Sequence, residues 1–238
     1  MLEGPVVIGE AIAAGLELSD VFVATEGDNL EEVMAASSAA GATILEVGDN
    51  VLRAVAGTAT PQGIVAVARM PRFSLDELGP AVDLSLVLVE VRDPGNAGTL
   101  VRTAAAAGAG CVVFARGSVD PFGAKTVRSS AGSVFKVPIA RGVEVDDALT
   151  ALKTKGFAVV GARGDAPGTL HELDLTGPVA MVLGNEAWGF ERPAELLVDH
   201  WASIPMSPGV ESLNVAAAGA VFLFEAVRQR RLSSARHG

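Results

Sequence analysis

Tyrosine is missing from this chain, and cysteine occurs once, at Cys111. A single cysteine excludes an internal disulfide and a cysteine-built zinc site. Cys111 sits in the apolar run Cys111-Val112-Val113-Phe114, the setting of a buried strand thiol rather than of a nucleophile. The three histidines, His171, His200 and His237, are scattered without ligand spacing, so no metal is expected. No uninterrupted apolar run reaches the roughly 18 residues of a spanning helix, and Met1-Leu2-Glu3-Gly4-Pro5 lacks the basic and apolar regions of a secretory leader. The expectation is a soluble protein of the reducing cytoplasm with no membrane partner.

Positive charge is also scarce: 18 Lys and Arg against 28 Asp and Glu give a formal charge of −10. That excludes a nonspecific nucleic-acid coat, which needs clustered cations, but permits a local basic site. Residues 1–72 hold ten acids against three Arg, and residues 73–238 hold eighteen acids against fifteen bases. The acid excess therefore sits in the first third. Common enzyme signatures fail too. Gly108-Ala109-Gly110 follows a helical stretch rather than a strand, and neither a Walker lysine motif nor a G-x-S-x-G elbow occurs. Nicotinamide, nucleoside-triphosphate, zinc and serine-hydrolase chemistries all lose their key residues.

What is abundant is Ala, Val, Leu and Gly, and half of the 238 residues are apolar. This mix favours short strands alternating with Ala-rich helices, an α/β protein. Residues 1–70 alternate as helix 6–14, strand 21–24, helix 30–40, strand 43–47, helix 50–56 and strand 63–68, with Gly15, Gly41 and Gly57 at helix ends. Two prolines and polar residues then break the pattern, so the expected organisation is a small α/β domain over 1–72, a linker over 73–80 and a larger domain over 81–238. In the larger domain the runs 84–89, 111–114, 158–160, 179–183 and 202–204 are apolar but for Ser85 and Ser203, as in a parallel sheet covered on both faces. Helices are expected at 99–107, 124–131, 146–155 and 213–230, with Arg228-Gln229-Arg230-Arg231 as a solvated helix end.

Ligands of open parallel sheets bind beyond the carboxyl ends of the strands. Three polar clusters occupy such positions. The first, Asp93 to Arg102, follows strand 84–89 and runs into a helix; Asn96 and Arg102 can face one crevice, although turn chemistry alone explains its Pro, Gly and Asn equally well. The second, Leu183-Gly184-Asn185-Glu186-Ala187-Trp188-Gly189, follows a buried strand, where its glycines let a ligand approach the backbone and Glu186 projects from shelter. The third runs Ile204-Pro205-Met206 through Ser212-Leu213-Asn214-Val215, and on its own Ser212 reads as a helix N-cap.

In order and spacing these clusters resemble the signature motifs of the SpoU/TrmH family of RNA ribose methyltransferases, within the SPOUT superfamily, over roughly residues 84–230. Lys125 to Gly132 resembles the family's intermediate element, and residues 1–70 its accessory substrate-binding domain. The family's Glu-Gly element falls at Glu3-Gly4, so a basic opening helix would precede Met1. The resemblance implies a parallel sheet ending in a trefoil knot, a homodimer formed through the knotted domain, and S-adenosylmethionine held around Leu183, Gly184, Asn185, Gly189, Ile204, Pro205, Met206, Ser212, Leu213 and Asn214. It assigns Arg102 to the ribose 2'-hydroxyl, with Asn96, Glu186, Ser212 and Asn214 shaping the pocket, and RNA contact to Arg102, Lys125, Arg128 and Ser129. Arg116, Lys136 and Arg141 are further candidate RNA contacts. The activity so implied is 2'-O-methylation of RNA, ribosomal before transfer RNA; the competing reading is a noncatalytic RNA-binding or ribosome-assembly protein on the same fold.

Overall fold

The computed structural model describes residues 1–25, 30–56, 60–184, 196–210 and 212–237. The chain forms two compact units, Met1–Pro71 and Arg72–Gly238.

In the first unit, β1 (Leu2–Glu3), α1 (Pro5–Ala13), β2 (Leu18–Ala24), α2 (Glu31–Ala39), β3 (Thr43–Val47), α3 (Asp49–Ala56) and β4 (Ile64–Ala68) build a four-stranded sheet of order β1-β4-β2-β3. β2 and β3 run parallel, while β4 is antiparallel to both β1 and β2. Pro5 opens α1, where its missing N–H costs no hydrogen bond. Gly15 and Gly41, just past α1 and α2, take φ of 77° and 89°, the left-handed conformation that ends a helix without a Cβ penalty. Gly57 lies outside the described residues. Strand β1 was not expected, because two residues carry no periodicity.

The second unit contains β5 (Leu84–Val89), α4 (Pro94–Ala107), β6 (Cys111–Ala115), α5 (Ala124–Ser129), β7 (Ile139–Val143), α6 (Val145–Thr154), β8 (Ala158–Ala162), β9 (Gly168–Thr169), β10 (Val179–Gly184), β11 (His200–Ser203) and α7 (Val215–His237). Its seven strands pair in the order β7-β6-β5-β10-β8-β11-β9, every pair parallel. This is the expected α/β class. All six residues of β5 are buried, as are the first five of β10, which a sheet covered on both faces requires. Alternation divides them: Val87, Val89, Ala180 and Val182 join Ala148, Leu149 and Leu152 of α6 in one core layer. Leu183 turns the other way, against α7.

Several expectations need correction. Residues 73–80 are not a free linker: Ser74 caps a 3-10 turn over Leu75–Glu77 through a capping box, and Leu75 and Leu78 are buried in the α6-side core. Lys155 ties this segment down by donating to the carbonyls of Asp76 and Leu78, both at 3.2 Å. Arg228 to Arg231 are not the helix end, since α7 continues to His237; Arg228 and Arg231 are exposed as expected, but Arg228 and Arg230 are engaged. Arg228 forks onto the buried Glu225 at 2.7 and 2.8 Å, and Arg230 binds Asp83 Oδ1 and the carbonyls of Asp83, Leu175 and Gly177. Cys111 is buried against Ser85, and burial pushes its thiol above the ordinary range, in keeping with an inert strand residue.

Candidate active site

The first polar cluster is more helical than its composition suggested. α4 starts at Pro94, not Thr99: Asp93 is the N-cap, accepting the amide N–H of Asn96 at 2.7 Å, and Pro94 fills the position where a proline is best tolerated. Just upstream Glu90 holds φ at 53°, a strained conformation for a residue with a side chain, and receives Arg92 at 3.1 Å.

α4 buries one stripe, Ala97, Gly98, Leu100, Val101 and Ala104, leaving two flanks. On one flank lies α5. A Cβ built on Gly98 would stand 1.9 Å from Ser129 Oγ and 2.7 Å from both Ser130 N and Thr126 O, so only glycine lets the two helices approach this closely. Ser129 Oγ also donates to the carbonyl of Pro94 at 2.7 Å, fixing the first turn of α4. On the other flank lies α7. A Cβ on Gly219 would meet Leu100 Cδ2 at 2.3 Å and Leu183 Cδ1 at 2.7 Å, so α4, β10 and α7 are locked at one point.

That lock joins the first and third clusters. Asn214 Nδ2 donates to Asn96 Oδ1 at 3.0 Å across 118 positions of sequence. The same side chain caps α7, Asn214 Oδ1 accepting from Ala216 N at 2.9 Å. The N-cap is therefore Asn214, and Ser212 lies exposed ahead of it. Arg102 is not on the face of Asn96. At about 100° per residue, six residues leave the two side chains about 120° apart around α4, with Arg102 on the α5 flank. It is exposed and makes no hydrogen bond or ion pair with another described residue.

The carboxyl ends of β10 and β11 supply the rest. Leu183 is buried, Gly184, Ile204, Met206 and Leu213 are half-buried, and Pro205 is exposed. No described residue hydrogen-bonds to the backbone of Met206 or Leu213. Half-buried apolar side chains beside open peptide groups suit a flat heterocycle that stacks on one and hydrogen-bonds to the other. Asn185, Glu186 and Gly189 lie outside the described residues. Of the candidate RNA contacts, Lys125 is exposed with no partner among the described residues, Arg128 is exposed but engaged, and the Ser129 hydroxyl is committed to α4. Arg116 and Arg141 are neutralised by Glu144 at 2.7 Å and Asp120 at 3.1 Å. Three links escaped the sequence reading: the Asp93 cap, which the Asp-Pro pair signals, the Ser129 tie to Pro94, and the Gly219 contact, which carries no local signal.

A parallel α/β unit whose helices α4 and α7, each following the carboxyl end of a strand, are tied at their N-termini by Asn96 and Asn214 has the layout of ligand-binding domains of the doubly wound class. Its family follows from comparison. Residues 83–224 match the SpoU rRNA Methylase family, and residues 1–74 match the RNA 2'-O ribose methyltransferase substrate binding family. The chain belongs to the SpoU rRNA methylase family. It is 35% identical over 212 residues to the 23S rRNA (guanosine-2'-O-)-methyltransferase RlmB of Ralstonia nicotianae, covering 87% of this chain and 85% of that protein. The AdoMet-bound rRNA methyltransferase from Sinorhizobium meliloti superposes with a TM-score of 0.83 at 32% identity, covering 95% of this chain and 85% of that one. The SpoU methyltransferase AviRb from Streptomyces viridochromogenes, in complex with AdoMet, superposes with a TM-score of 0.87 at 26% identity over 97% of this chain and 89% of that one.

Proposed function

We propose that this protein is an S-adenosylmethionine-dependent methyltransferase that modifies a ribose 2'-hydroxyl of ribosomal RNA. The observation that carries the reading is the Asn96–Asn214 hydrogen bond, which ties the first motif to the third on helices α4 and α7, helices that also meet Leu183 of β10 through Leu100 and Gly219. The RlmB relatives, named for guanosine 2'-O-methylation of 23S rRNA, support the substrate class. The cofactor supplies an electrophilic methyl group on a sulfonium sulfur. Half-buried Ile204, Met206 and Leu213 would hold its apolar part, and the open peptide groups of Met206 and Leu213 its polar edge; Gly184, Pro205 and Ser212 are further candidates, as are Asn185 and Gly189, which lie outside the described residues. Asn214 serves both helices at once, so it orients the crevice as well as capping α7.

Arg102 acts on the acceptor oxygen. Its guanidinium offers only N–H donors and no acceptor, so it donates to the oxygen as negative charge develops there, the hydroxyl proton passing to solvent, and it clamps a neighbouring phosphate. Being free of protein partners among the described residues leaves its donors available for this. Ser212, and Glu186 outside the described residues, are assigned to the surroundings of the hydroxyl by the family resemblance alone. Because Arg102 and Asn96 sit on different flanks of α4, we place a second copy of the chain across the crevice: α7 leaves Val221, Phe224 and Leu232 exposed, and a homodimer through this helix would cover them. α7 crosses back from β11, beyond β8, to pack on β10 and α4, a path that supports a threaded, knotted carboxyl end. Lys125 and Arg128, on the helix that Ser129 locks to α4, would hold the RNA backbone. The test is calorimetry with S-adenosylmethionine alongside turnover: wild type and Arg102→Ala should bind the cofactor equally, and the variant should lose methyl transfer. A chain that takes up no cofactor, or an Arg102→Ala variant that methylates normally, would overturn the reading.

A further inference from the structure

The unit Met1–Pro71 matches a substrate-binding family, yet its side chains lack both of the usual means of holding RNA. Phosphates are bound by Lys and Arg, and bases are stacked on aromatic rings. This unit has no Lys and no His; its only basic side chains are Arg53 and Arg69, against ten Asp and Glu. Each arginine already faces a carboxylate, Arg69 Nε at 3.2 Å from Glu17 Oε2 and Arg53 Nη2 at 4.0 Å from Asp49 Oδ2. Phe22 is its one aromatic residue, half-buried in the middle of β2. A net side-chain charge of −8 repels a polyanion over about 8 to 10 Å at ordinary ionic strength. The other unit is nearly balanced, eighteen acids against sixteen bases, and it presents Arg102 and Lys125 without partners among its described residues, on two helices that pack face to face.

Resting on the reading of the chain as an RNA methyltransferase, we infer that, of the two units, it is Arg72–Gly238 that grips phosphate, along α4 and α5 around Arg102 and Lys125. The amino-terminal unit neutralises no phosphate and stacks no base. Whatever it adds to substrate choice, it adds without counterion release, through shape or through hydrogen bonds to sugar and base edges.

The salt dependence of RNA binding separates the two units. The 238-residue chain is titrated with a labelled 23S rRNA transcript over a range of salt concentrations, and log Kobs is plotted against log salt. Each phosphate contact contributes about 0.7 to 0.9 to the slope. Lys125→Ala should lower the slope by about one. The double variant Arg53→Ala/Arg69→Ala, which removes every basic side chain of the amino-terminal unit, should keep the wild-type slope and bind within about twofold, since it removes no phosphate contact. A double variant whose slope falls by about one or more, or a Lys125→Ala variant whose slope does not change, overturns the inference. Methyl incorporation by wild type into the same transcript is measured in parallel. Its absence would sink the reading of function, whereas the slopes judge only where the grip lies.

Discussion

Substituting Gly98 by alanine adds one carbon, and its new Cβ would lie 1.9 Å from Ser129 Oγ and 2.7 Å from two backbone atoms of the α5 segment, Ser130 N and Thr126 O. The hydroxyl can swing away, at the loss of its 2.7 Å bond to the Pro94 carbonyl, worth about 1 kcal/mol net. The backbone atoms cannot, so α5 must retreat from α4, and forced repacking of this kind costs about 1 to 3 kcal/mol. Against these stands the better helix propensity of alanine, about 1 kcal/mol. The balance is a loss of about 2 kcal/mol, read from chemical denaturation as a lower midpoint with an unchanged slope. Because Ser129 holds the turn that carries Asn96, turnover should fall more than the folded fraction does at the assay temperature. Adding Ser129→Ala should recover only part of the stability, since the contacts with Ser130 N and Thr126 O persist. A Gly98→Ala protein as stable as wild type or more so would refute the close approach of these helices.

Other residues give further tests. Arg228 is the main cause that holds Glu225 at a pKa of about 2 rather than 4.5, with burial opposing and Gln229 assisting. Because the folded value is the lower one, this stabilisation is complete above pH 4.5 and is lost as pH falls toward 2, a total of about 3 kcal/mol. Glu225→Gln should flatten the acid limb of stability against pH in that window and lower the melting temperature at neutral pH; an unaltered limb would contradict the clamp. Asn214→Ala removes the cap of α7 and the bond to Asn96 together, and should cost about 1 to 2 kcal/mol while lowering cofactor affinity in calorimetry. Glu90→Gly relieves a left-handed side-chain residue at φ 53° and should gain up to about 1 kcal/mol in denaturant titration. A loss there would mean that the contact with Arg92 outweighs the strain.

Much of this architecture is written locally. Strands β5, β6, β8 and β10 are legible because burial on both faces makes them almost wholly apolar, Ser85 of β5 being the one polar side chain among them. β7 escapes because Arg141 and Gly142 interrupt it, which a strand at the margin of the sheet tolerates. β9 has only two residues and no pattern to detect. The start of α4 was displaced because Asp-Pro-Gly-Asn serves equally as a turn and as a capped first helical turn; only its tie to Ser129 selects the helix. In the site, the residue types were legible and their pairing was not. No local rule links Asn96 to Asn214 or Gly219 to Leu100, because those contacts depend on α7 returning across the sheet. The same return converts Arg228 and Arg230 from apparent solvated charges into anchors for Glu225, Asp83 and the loop carbonyls near Leu175 and Gly177.

The most direct trial is the fate of the methyl group. Protein incubated with radiolabelled S-adenosylmethionine and ribosomal RNA lacking modification, followed by digestion to nucleosides, should yield the label in a nucleoside whose sugar carries a 2'-O-methyl. Label recovered in a base-methylated nucleoside, or none in RNA at all, would contradict the account.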